Sequence, residues 1–221
     1  MIGTILVVLA SAAGIIALYD LVTSQLRTAI KSSRRSKQQQ CEEAVTDALR
    51  TLDMKSYVVF ENLILPSSGN TSYTEIDQVV VSPFGIFCIE TKSHHGSIYG
   101  YTTRKNWKQY LGGKEFTINN PLHQNYKHTK AIEALLGDTL KAKVHSYVVY
   151  PNARSVKIDG EQVDCSISEI KRKISCHTKA VYNLSDCEHI LKTFAVASSK
   201  RAELKHLHAE EVRNYLQKAN V

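Results

Sequence analysis

The segment at residues 75–92, EIDQVVVSPFGIFCIETK, constrains the fold of this chain more than any other stretch. Two apolar runs, at 79–81 and 86–89, flank the tetrapeptide Ser-Pro-Phe-Gly at 82–85. Pro at the second position and Gly at the fourth favour a type I turn. Apolar runs on both sides of a turn predict a buried antiparallel β-hairpin.

Three charged side chains lie within this apolar hairpin. A turn centred on Pro83 and Phe84 places Asp77 directly opposite Glu90, with Cβ atoms about 5 Å apart. Lys92 shares their sheet face, because strand side chains two residues apart point the same way. A longer turn or a bulge would shift the register and separate the three groups.

Two carboxylates this close repel each other and require a compensating cation. Lys92 supplies one positive charge for two negative charges. Mg²⁺ would compensate better, because it binds through one or two carboxylates together with waters and phosphate oxygens. The alternative interpretation is a structural ion pair at a strand end, with the second acid protonated or solvated.

Two predicted helices add polar residues to this hypothesis. The first, CEEAVTDALRTL at 41–52, carries Glu42 on the same stripe as its apolar residues, which predicts an inward-facing carboxylate. The second, at 119–137, begins with an Asn-Pro pair suited to a helix N-terminus and ends at a glycine. Gln124 in this helix lies four residues before His128, so the two share a helix face.

The order of predicted elements favours a mixed α/β domain with a central sheet flanked by helices. Beyond the hairpin, the predicted strands are 56–65, 97–101, 144–150 and 155–158, and the predicted C-terminal helices are 166–174, 186–194 and 203–219.

A segment rich in aromatic and basic residues follows the strand predicted at 97–101. Aromatic faces among cations are typical of surfaces that bind nucleic acids. We therefore expect Arg104, Lys105, Trp107 and Lys108 to contact nucleic acid, with Tyr110 as a further stacking face. A solvated loop with one anchored tryptophan is the alternative.

The N-terminal residues 1–19 contain no charged side chain, and the apolar character continues through Val22. About twenty such residues in a helix span a hydrocarbon core of about 30 Å, so 1–23 is predicted to be a transmembrane anchor. A cleaved signal peptide is the alternative. Against it, no Lys or Arg precedes the apolar run, and cleavage near Ala10-Ser11-Ala12 would leave a long apolar remnant.

Residues 24–40 are predicted to form a basic juxtamembrane linker. The positive-inside rule places this linker and the domain at 41–221 in the cytoplasm. The linker cations are also expected to contact anionic lipid headgroups. They are Arg27, Lys31, Arg34, Arg35 and Lys37.

The net charge of +7 depends largely on that linker. From Glu42 onward the chain has 23 basic and 20 acidic residues, so bulk charge is weak evidence for nucleic-acid binding. The five cysteines are widely spaced and form no C-x-x-C pair, which indicates reduced thiols rather than a zinc site.

Several of these segments together resemble the nuclease-related domain, or NERD, family. The resemblance covers roughly residues 40–150. The matching pieces occur in the order typical of that family: Cys41-Glu42 at a helix start, NLILP at 62–66, the hairpin at 75–92, GSIYG at 96–100, Trp107, and NPLHQN at 120–125. Cys41 stands where the family commonly has glycine.

The resemblance implies a restriction-endonuclease-like fold with an Asp…Glu-x-Lys site. Asp77 and Glu90 would be metal ligands and Lys92 the catalytic lysine, while Glu42 matches a helix-borne acid and Gln124 a helix-borne glutamine. The implied activity is Mg²⁺-dependent cleavage of DNA, with Mn²⁺ as an alternative metal. A module that binds nucleic acid or protein without cleaving is the alternative function.

Overall fold

The computed structural model describes residues 37–67 and 72–205. The predicted anchor at 1–23 and most of the predicted helix at 203–219 lie outside the described residues. Within the described ranges, no helix combines the length and the apolar character needed to cross a bilayer. The elements from Cys41 onward belong to one compact unit.

The chain alternates between helices and strands after a first helix. In order, the elements are α1 (37–49), β1 (Val58–Pro66), β2 (Tyr73–Ser82), β3 (Gly85–Thr91), β4 (Gly96–Gly100), β5 (Asn106–Leu111), β6 (Lys114–Asn119), α2 (Pro121–Leu136), β7 (His145–Val149), β8 (Ala153–Ile158), β9 (Val163–Asp164), α3 (Ile167–Ser175) and α4 (Leu184–Ser199).

The strands form two mixed sheets. The first has the order β1-β2-β3-β7-β9, in which β1, β2 and β3 are antiparallel and β7 runs parallel to both β3 and β9. The second has the order β6-β5-β4-β8, with β4 and β8 parallel. The predicted mixed α/β class is confirmed, although the sequence predicted one central sheet and the structure has two.

The hairpin β2–β3 has the predicted register. Ser82 pairs with Gly85, and the pairing continues without a shift to Gln78 and Ile89. The Ser82 hydroxyl accepts a hydrogen bond from the Phe84 backbone N–H at 3.2 Å and donates to the Gly85 carbonyl at 3.1 Å. These bonds close the two-residue turn.

Helices cover both faces of the first sheet, because alternate strand residues are apolar on both sides. α1 and α3 pack on one face through a cluster that includes Leu49, Phe87 and Ile170. α2 and α4 pack on the other face through a cluster that includes Ile132 and Phe194. Strands buried on both faces read as continuous apolar runs, and the seven residues of β3 are all buried.

A third apolar cluster, which includes Trp107, Val148 and Tyr150, joins the two sheets. Trp107 belongs to β5, which pairs with β6 in a second hairpin where the sequence predicted either a nucleic-acid-binding segment or a solvated loop. Gly112 and Gly113 form its turn with φ values of 58° and 76°. A Gly-Gly pair with positive φ at both residues is a preferred hairpin turn, and it is the sequence signal for this element.

Candidate active site

Asp77 takes no part in the backbone pairing of β2 with either neighbouring strand. On β1 the pairs Glu61–Gln78 and Leu63–Ile76 flank the position opposite Asp77, which is occupied by Asn62 with a φ of 51°. On β3 the pairing ends at Gln78. The Asp77 carboxylate replaces the missing ladder bond, because its Oδ2 accepts from the Thr91 backbone N–H at 2.8 Å.

Glu90 lies at the end of β3 with only 1% of its side chain exposed. Its Oε1 is 2.5 Å from Lys92 Nζ. Its Oε2 is 3.2 Å from His128 Nδ1, but the alignment falls short of a hydrogen bond. Glu90 Oε2 and His128 Nδ1 are both buried, and neither has a hydrogen-bond partner among the described residues.

Lys92 connects the hairpin to α2. Its backbone N–H donates to the Val149 carbonyl at 2.9 Å, which extends the parallel pairing of β3 and β7 beyond Thr91. Its Nζ donates to Gln124 Oε1 at 3.0 Å. The Glu-x-Lys spacing places both side chains on one side of the extended backbone, so that Lys92 contacts Glu90 and Gln124 at once.

Two buried asparagines fix α2 against the sheets. Asn120 is the N-cap residue, and its Oδ1 accepts from the Leu122 backbone N–H at 2.9 Å. Asn125 donates from Nδ2 to the backbone carbonyls of Cys88 at 3.2 Å and Tyr147 at 2.9 Å. Because Gln124 precedes Asn125 in the chain, the anchoring of Asn125 also fixes the backbone position from which the Gln124 side chain extends.

Gln78 connects the hairpin to α1 from the opposite face of the sheet. Its Nε2 donates to the Glu42 carbonyl at 3.2 Å, and its Oε1 accepts from the Thr91 hydroxyl at 2.9 Å. The turn of α1 that carries Glu42 is therefore held beside the hairpin, where the Glu42 carboxylate interacts with Asp77.

The two hairpin acids have opposite electrostatic environments. Burial, followed by the charges of Glu90 and Glu42, raises the pKa of Asp77 well above its ordinary value, and this effect outweighs the Thr91 N–H and Lys92. Burial also acts to raise the pKa of Glu90, but His128 and Lys92 outweigh it and lower that pKa. Lys92 and His128 therefore favour the Glu90 carboxylate, whereas among the described residues Asp77 has only the Thr91 N–H and Lys92 to offset its burial.

Two cavities meet at this cluster. The first, about 480 Å³, is lined by Glu42, Glu75 and Asp77, and we call it the acidic cavity. The second, about 780 Å³, is lined by basic side chains and, among the described residues, by no Asp or Glu, and we call it the basic cleft. Its basic side chains are Lys92, His94, Lys105, His123 and Lys127. Gln124 and Lys127 line both cavities.

The structure brings together most of the residues predicted to form the site. Asp77, Glu90, Lys92 and Gln124 form one cluster, and Glu42 lines the acidic cavity beside them. The predicted nucleic-acid contacts are dispersed instead, since they lie on and before the second hairpin. Of those residues, Lys105 lines the basic cleft.

The stacking role predicted for Trp107 is wrong. Its side chain is only 1% exposed, and its indole N–H donates to the Tyr101 carbonyl at 2.9 Å. The alternative of an anchored tryptophan is closer to the structure. Lys108 alternates with Trp107 along β5 and points to the solvent-exposed side of the second sheet, where its Nζ is 2.6 Å from Glu115 Oε1. Arg104 contributes its backbone carbonyl, which accepts from Asn120 Nδ2 at 2.8 Å.

His128 is the site residue that the sequence reasoning did not include. Its side chain is 2% exposed and faces Glu90 from α2. The sequence could have indicated it through the helical period, because a residue four positions after Gln124 lies on the same helix face. If Gln124 reaches the site, His128 is expected to lie near it as well.

The donors at this site fit a hard divalent cation. Asp77 and Glu42 offer oxygen atoms to the acidic cavity, and the raised pKa of Asp77 reflects negative charge that a cation would compensate. Within 37–67 and 72–205, no group of three or more His, Cys, Asp and Glu side chains is arranged to hold a metal ion. Mg²⁺ needs only one or two carboxylates when waters and phosphate oxygens complete its coordination.

Comparison with known proteins decides the family. The family model described as the nuclease-related domain matches residues 37–151, which is more than half of the chain. The chain belongs to the nuclease-related domain family. All the residues of the acidic cavity and the Asp77–Glu90–Lys92 cluster lie within the matched range.

An uncharacterized protein of Bacillus anthracis is similar to this NERD protein along most of its length. The two are 29% identical over 177 residues, which cover 78% of this chain and 82% of the relative. No solved structure matches the chain at a significant level.

Proposed function

We propose that this NERD protein is a divalent-metal-dependent nuclease that hydrolyses phosphodiester bonds of DNA. The observation that carries the proposal is the convergence of Asp77, Glu90, Lys92 and Gln124 where an acidic cavity meets a basic cleft. A strand bound there would have its scissile phosphate beside the carboxylates and Lys92, and its neighbouring phosphates beside the lysines of the basic cleft. Membership of a nuclease-related family supports the same class of reaction.

Asp77 and Glu42, which line the acidic cavity, are the residues that would hold Mg²⁺ or Mn²⁺. Glu90, the third predicted ligand, would have to exchange its contact with Lys92 or His128 for the metal ion. When bound, such an ion supplies an activated water and neutralises charge on the phosphate. Lys92 would stabilise the negative charge that develops on the phosphoryl oxygens, since its Nζ is fixed between Glu90 and Gln124. The role of Gln124 is to hold that ammonium group in place.

The basic cleft supports nucleic acid as the substrate. Two separate elements contribute lysines to its lining, with Lys105 before the second hairpin and Lys127 on α2, and His123 lies one turn before Lys127 on the same helix. Several cations along one cleft are suited to a phosphate backbone, because each neutralised phosphate releases counterions. Binding through these residues is therefore expected to weaken steeply as salt rises.

We also propose that residues 1–23 anchor this domain to a membrane, with the domain in the cytoplasm. The support is the uncharged N-terminal segment and the cationic linker that follows it. The linker cations Arg27, Lys31, Arg34, Arg35 and Lys37 would contact anionic headgroups. Flotation of the full-length protein with liposomes, compared with a chain lacking residues 1–23, tests this proposal.

A cleavage assay tests the catalytic proposal. The purified full-length chain is incubated with linear and circular DNA and with RNA, in Mg²⁺, Mn²⁺ or EDTA. We expect cleavage of DNA that requires the metal and is lost in Asp77→Ala and Lys92→Ala. Lys130→Ala is the matched control, because Lys130 forms a 2.5 Å ion pair with Glu133 on α2 and lines neither cavity. Cleavage that persists in EDTA or in both site variants would refute the proposal.

A module that binds nucleic acid without cleaving it is the second candidate. It is favoured by Glu90, whose two carboxylate oxygens already face Lys92 and His128. In that case the cluster would serve as a structural ion pair. DNA binding that is equal in wild type and Asp77→Ala, with no cleavage under either metal, supports this candidate.

A further inference from the structure

The second sheet has one face packed in the protein and one face directed to solvent. Trp107 and Ile98 point inward to the third apolar cluster. The neighbouring residues therefore point outward, and the register pairs Tyr99 with Lys108 on one side and with Lys157 on the other. We call the solvent-directed surface formed by Tyr99, Lys108, Tyr110 and Lys157 the outer face.

The two tyrosines on the outer face form an exposed aromatic pair. Their ring centroids are 5.4 Å apart with an interplanar angle of 88°, and the side chains are 37% and 43% exposed. Lys157 Nζ lies 5.5 Å from the centre of the Tyr99 ring. Edge-to-face contact fixes both rings while leaving part of each aromatic surface accessible.

Charge on the outer face is predominantly positive. Lys108 and Lys157 lie on either side of Tyr99, and Arg154 donates to the Ser97 hydroxyl at 3.1 Å from the adjacent strand. Glu115 is the opposing acid, because it accepts from Lys108 at 2.6 Å and from the Tyr110 hydroxyl at 2.7 Å. The surface thus combines aromatic rings with cations, which is a combination suited to bases and phosphates.

The outer face is continuous with the basic cleft across β6. This strand is at the edge of the second sheet, and its Thr117 lines the cleft. The Thr117 hydroxyl is also 3.4 Å from Lys108 Nζ on the outer face. A chain of phosphates that leaves the cleft over this edge strand would meet Lys108 first and the tyrosines next.

We propose that the outer face binds a single-stranded segment of the nucleic-acid substrate, with bases stacked on Tyr99 and Tyr110 and phosphates beside Lys108 and Lys157. Bases in a duplex are stacked on each other, so their faces are not available to protein rings. The substrate would therefore be single-stranded DNA or a duplex with a single-stranded end. This inference rests on the proposed function for the direction of the path, but the binding itself requires no cleavage.

Fluorescence anisotropy with the full-length protein in EDTA tests this inference. The probes are a labelled oligothymidylate and a labelled duplex of equal length. We expect the single strand to bind more tightly, and Tyr99→Ala and Tyr110→Ala each to raise its Kd roughly tenfold. Tyr126→Ala is the matched control, because Tyr126 is 60% exposed on α2 and lines neither cavity. Its Kd is expected to equal that of wild type.

Two further variants separate binding from folding. Tyr99→Phe keeps the ring and is expected to retain tight binding even if Tyr99→Ala fails to fold. Glu115→Gln removes the opposing charge and is expected to lower the Kd for the single strand. Binding of the single strand that is unchanged in folded Tyr99→Ala and Tyr110→Ala, or a lower Kd for the duplex in wild type, would overturn the inference.

Comparison with the cleavage assay distinguishes this inference from the proposed function. Tyrosine-dependent binding without metal-dependent cleavage would refute the proposed nuclease activity and support single-strand binding by the outer face. Metal-dependent cleavage with tyrosine-independent binding would support the nuclease activity and refute single-strand binding by the outer face.

Discussion

Two hairpins with two-residue turns carry charges in this protein, and they differ in where those charges lie. In β2–β3 the strands are covered by helices on both faces, and Glu90 at the end of β3 is 1% exposed. In β5–β6 one face is open, and Lys108 and Glu115 are 49% and 46% exposed. Both hairpins contain a lysine–carboxylate contact of similar length, 2.5 Å in the first and 2.6 Å in the second.

The difference shows that a buried charge is stronger evidence for a functional role than an exposed one. An exposed ion pair contributes little, so charges on the outer face are compatible with many roles. A buried carboxylate is costly unless its environment compensates it. Asp77, whose pKa is raised, is only partly compensated, and this unfavourable placement is better explained by a function than by stability.

The largest expected effect is on stability and comes from Glu90→Ala. This variant leaves Lys92 and His128 facing each other without their carboxylate, and removing one partner of a buried ion pair costs about 3 kcal/mol or more. Glu115→Ala in the exposed hairpin is the comparison, and no measurable change is expected. Urea denaturation gives both values. Equal losses in the two variants would show that burial does not separate the hairpins.

The next effect is on catalysis and comes from Lys92→Ala. Removing one preorganised electrostatic group is expected to lower kcat about 10²- to 10³-fold. The variant is also expected to lose stability, because the buried Glu90 carboxylate keeps only His128 beside it. Cleavage is therefore measured at a temperature at which the variant is folded. Single-turnover cleavage of labelled DNA measures the loss, with Lys130→Ala as control. A kcat within error of that control would remove Lys92 from the mechanism.

A third variant, Gly100→Ala, probes what stabilises the second sheet. A Cβ atom at this position would lie 2.3 Å from the Trp107 ring, so the substitution forces the core of that sheet to move. We expect a loss of about 1–3 kcal/mol in the free energy of unfolding. Gly112→Ala meets no neighbouring atom but has a φ of 58°, and about 1 kcal/mol is expected there. The opposite order would mean that the turn, rather than Trp107, fixes the hairpin.

The smallest effect is expected from Lys108→Ala. The fold and the kcat should not change, because Lys108 contacts Glu115 at the surface and lines neither cavity. The apparent KM for single-stranded DNA is expected to rise, and its salt dependence to fall by about one phosphate contact. Steady-state cleavage at several salt concentrations measures both quantities.

The sequence predicted the buried hairpin in detail because two apolar runs around the Ser-Pro-Phe-Gly turn are compatible with few other structures. The register followed from the turn alone, and it places Asp77 and Glu90 at neighbouring positions beyond Gln78 and Ile89. The α2 boundaries were predicted for a similar reason, since Asn120 caps the helix and Gly137 ends it.

The second sheet was harder to predict because its exposed strands have no continuous apolar pattern. In β6, five of the six residues are exposed, so the Gly-Gly turn was the main signal. His128 and Asn125 were also missed. A helical period indicates which face a polar residue shares, but it does not indicate whether that face is buried beside a charge. The positive φ of Asn62, which takes Asp77 out of the β1 ladder, has no counterpart in the apolar pattern of that strand.

Asp77 is buried beside other carboxylates, and we infer that this unfavourable position serves to hold a cation. A carboxyl whose pKa is raised in the folded state contributes extra stability below its ordinary pKa, and this contribution is lost as the pH rises through the raised value. At neutral pH the Asp77 carboxyl therefore opposes folding. Asp77→Asn is expected to raise the thermal unfolding midpoint in EDTA while abolishing cleavage.

The most direct test is the Mg²⁺ dependence of the thermal unfolding midpoint in wild type and Asp77→Asn. A ligand that binds only the folded state raises its stability as the ligand concentration exceeds the Kd. We predict that Mg²⁺ raises the midpoint of wild type, with no such rise in Asp77→Asn. An equal rise in the two proteins, or none in wild type, would contradict the claim that Asp77 holds a metal ion.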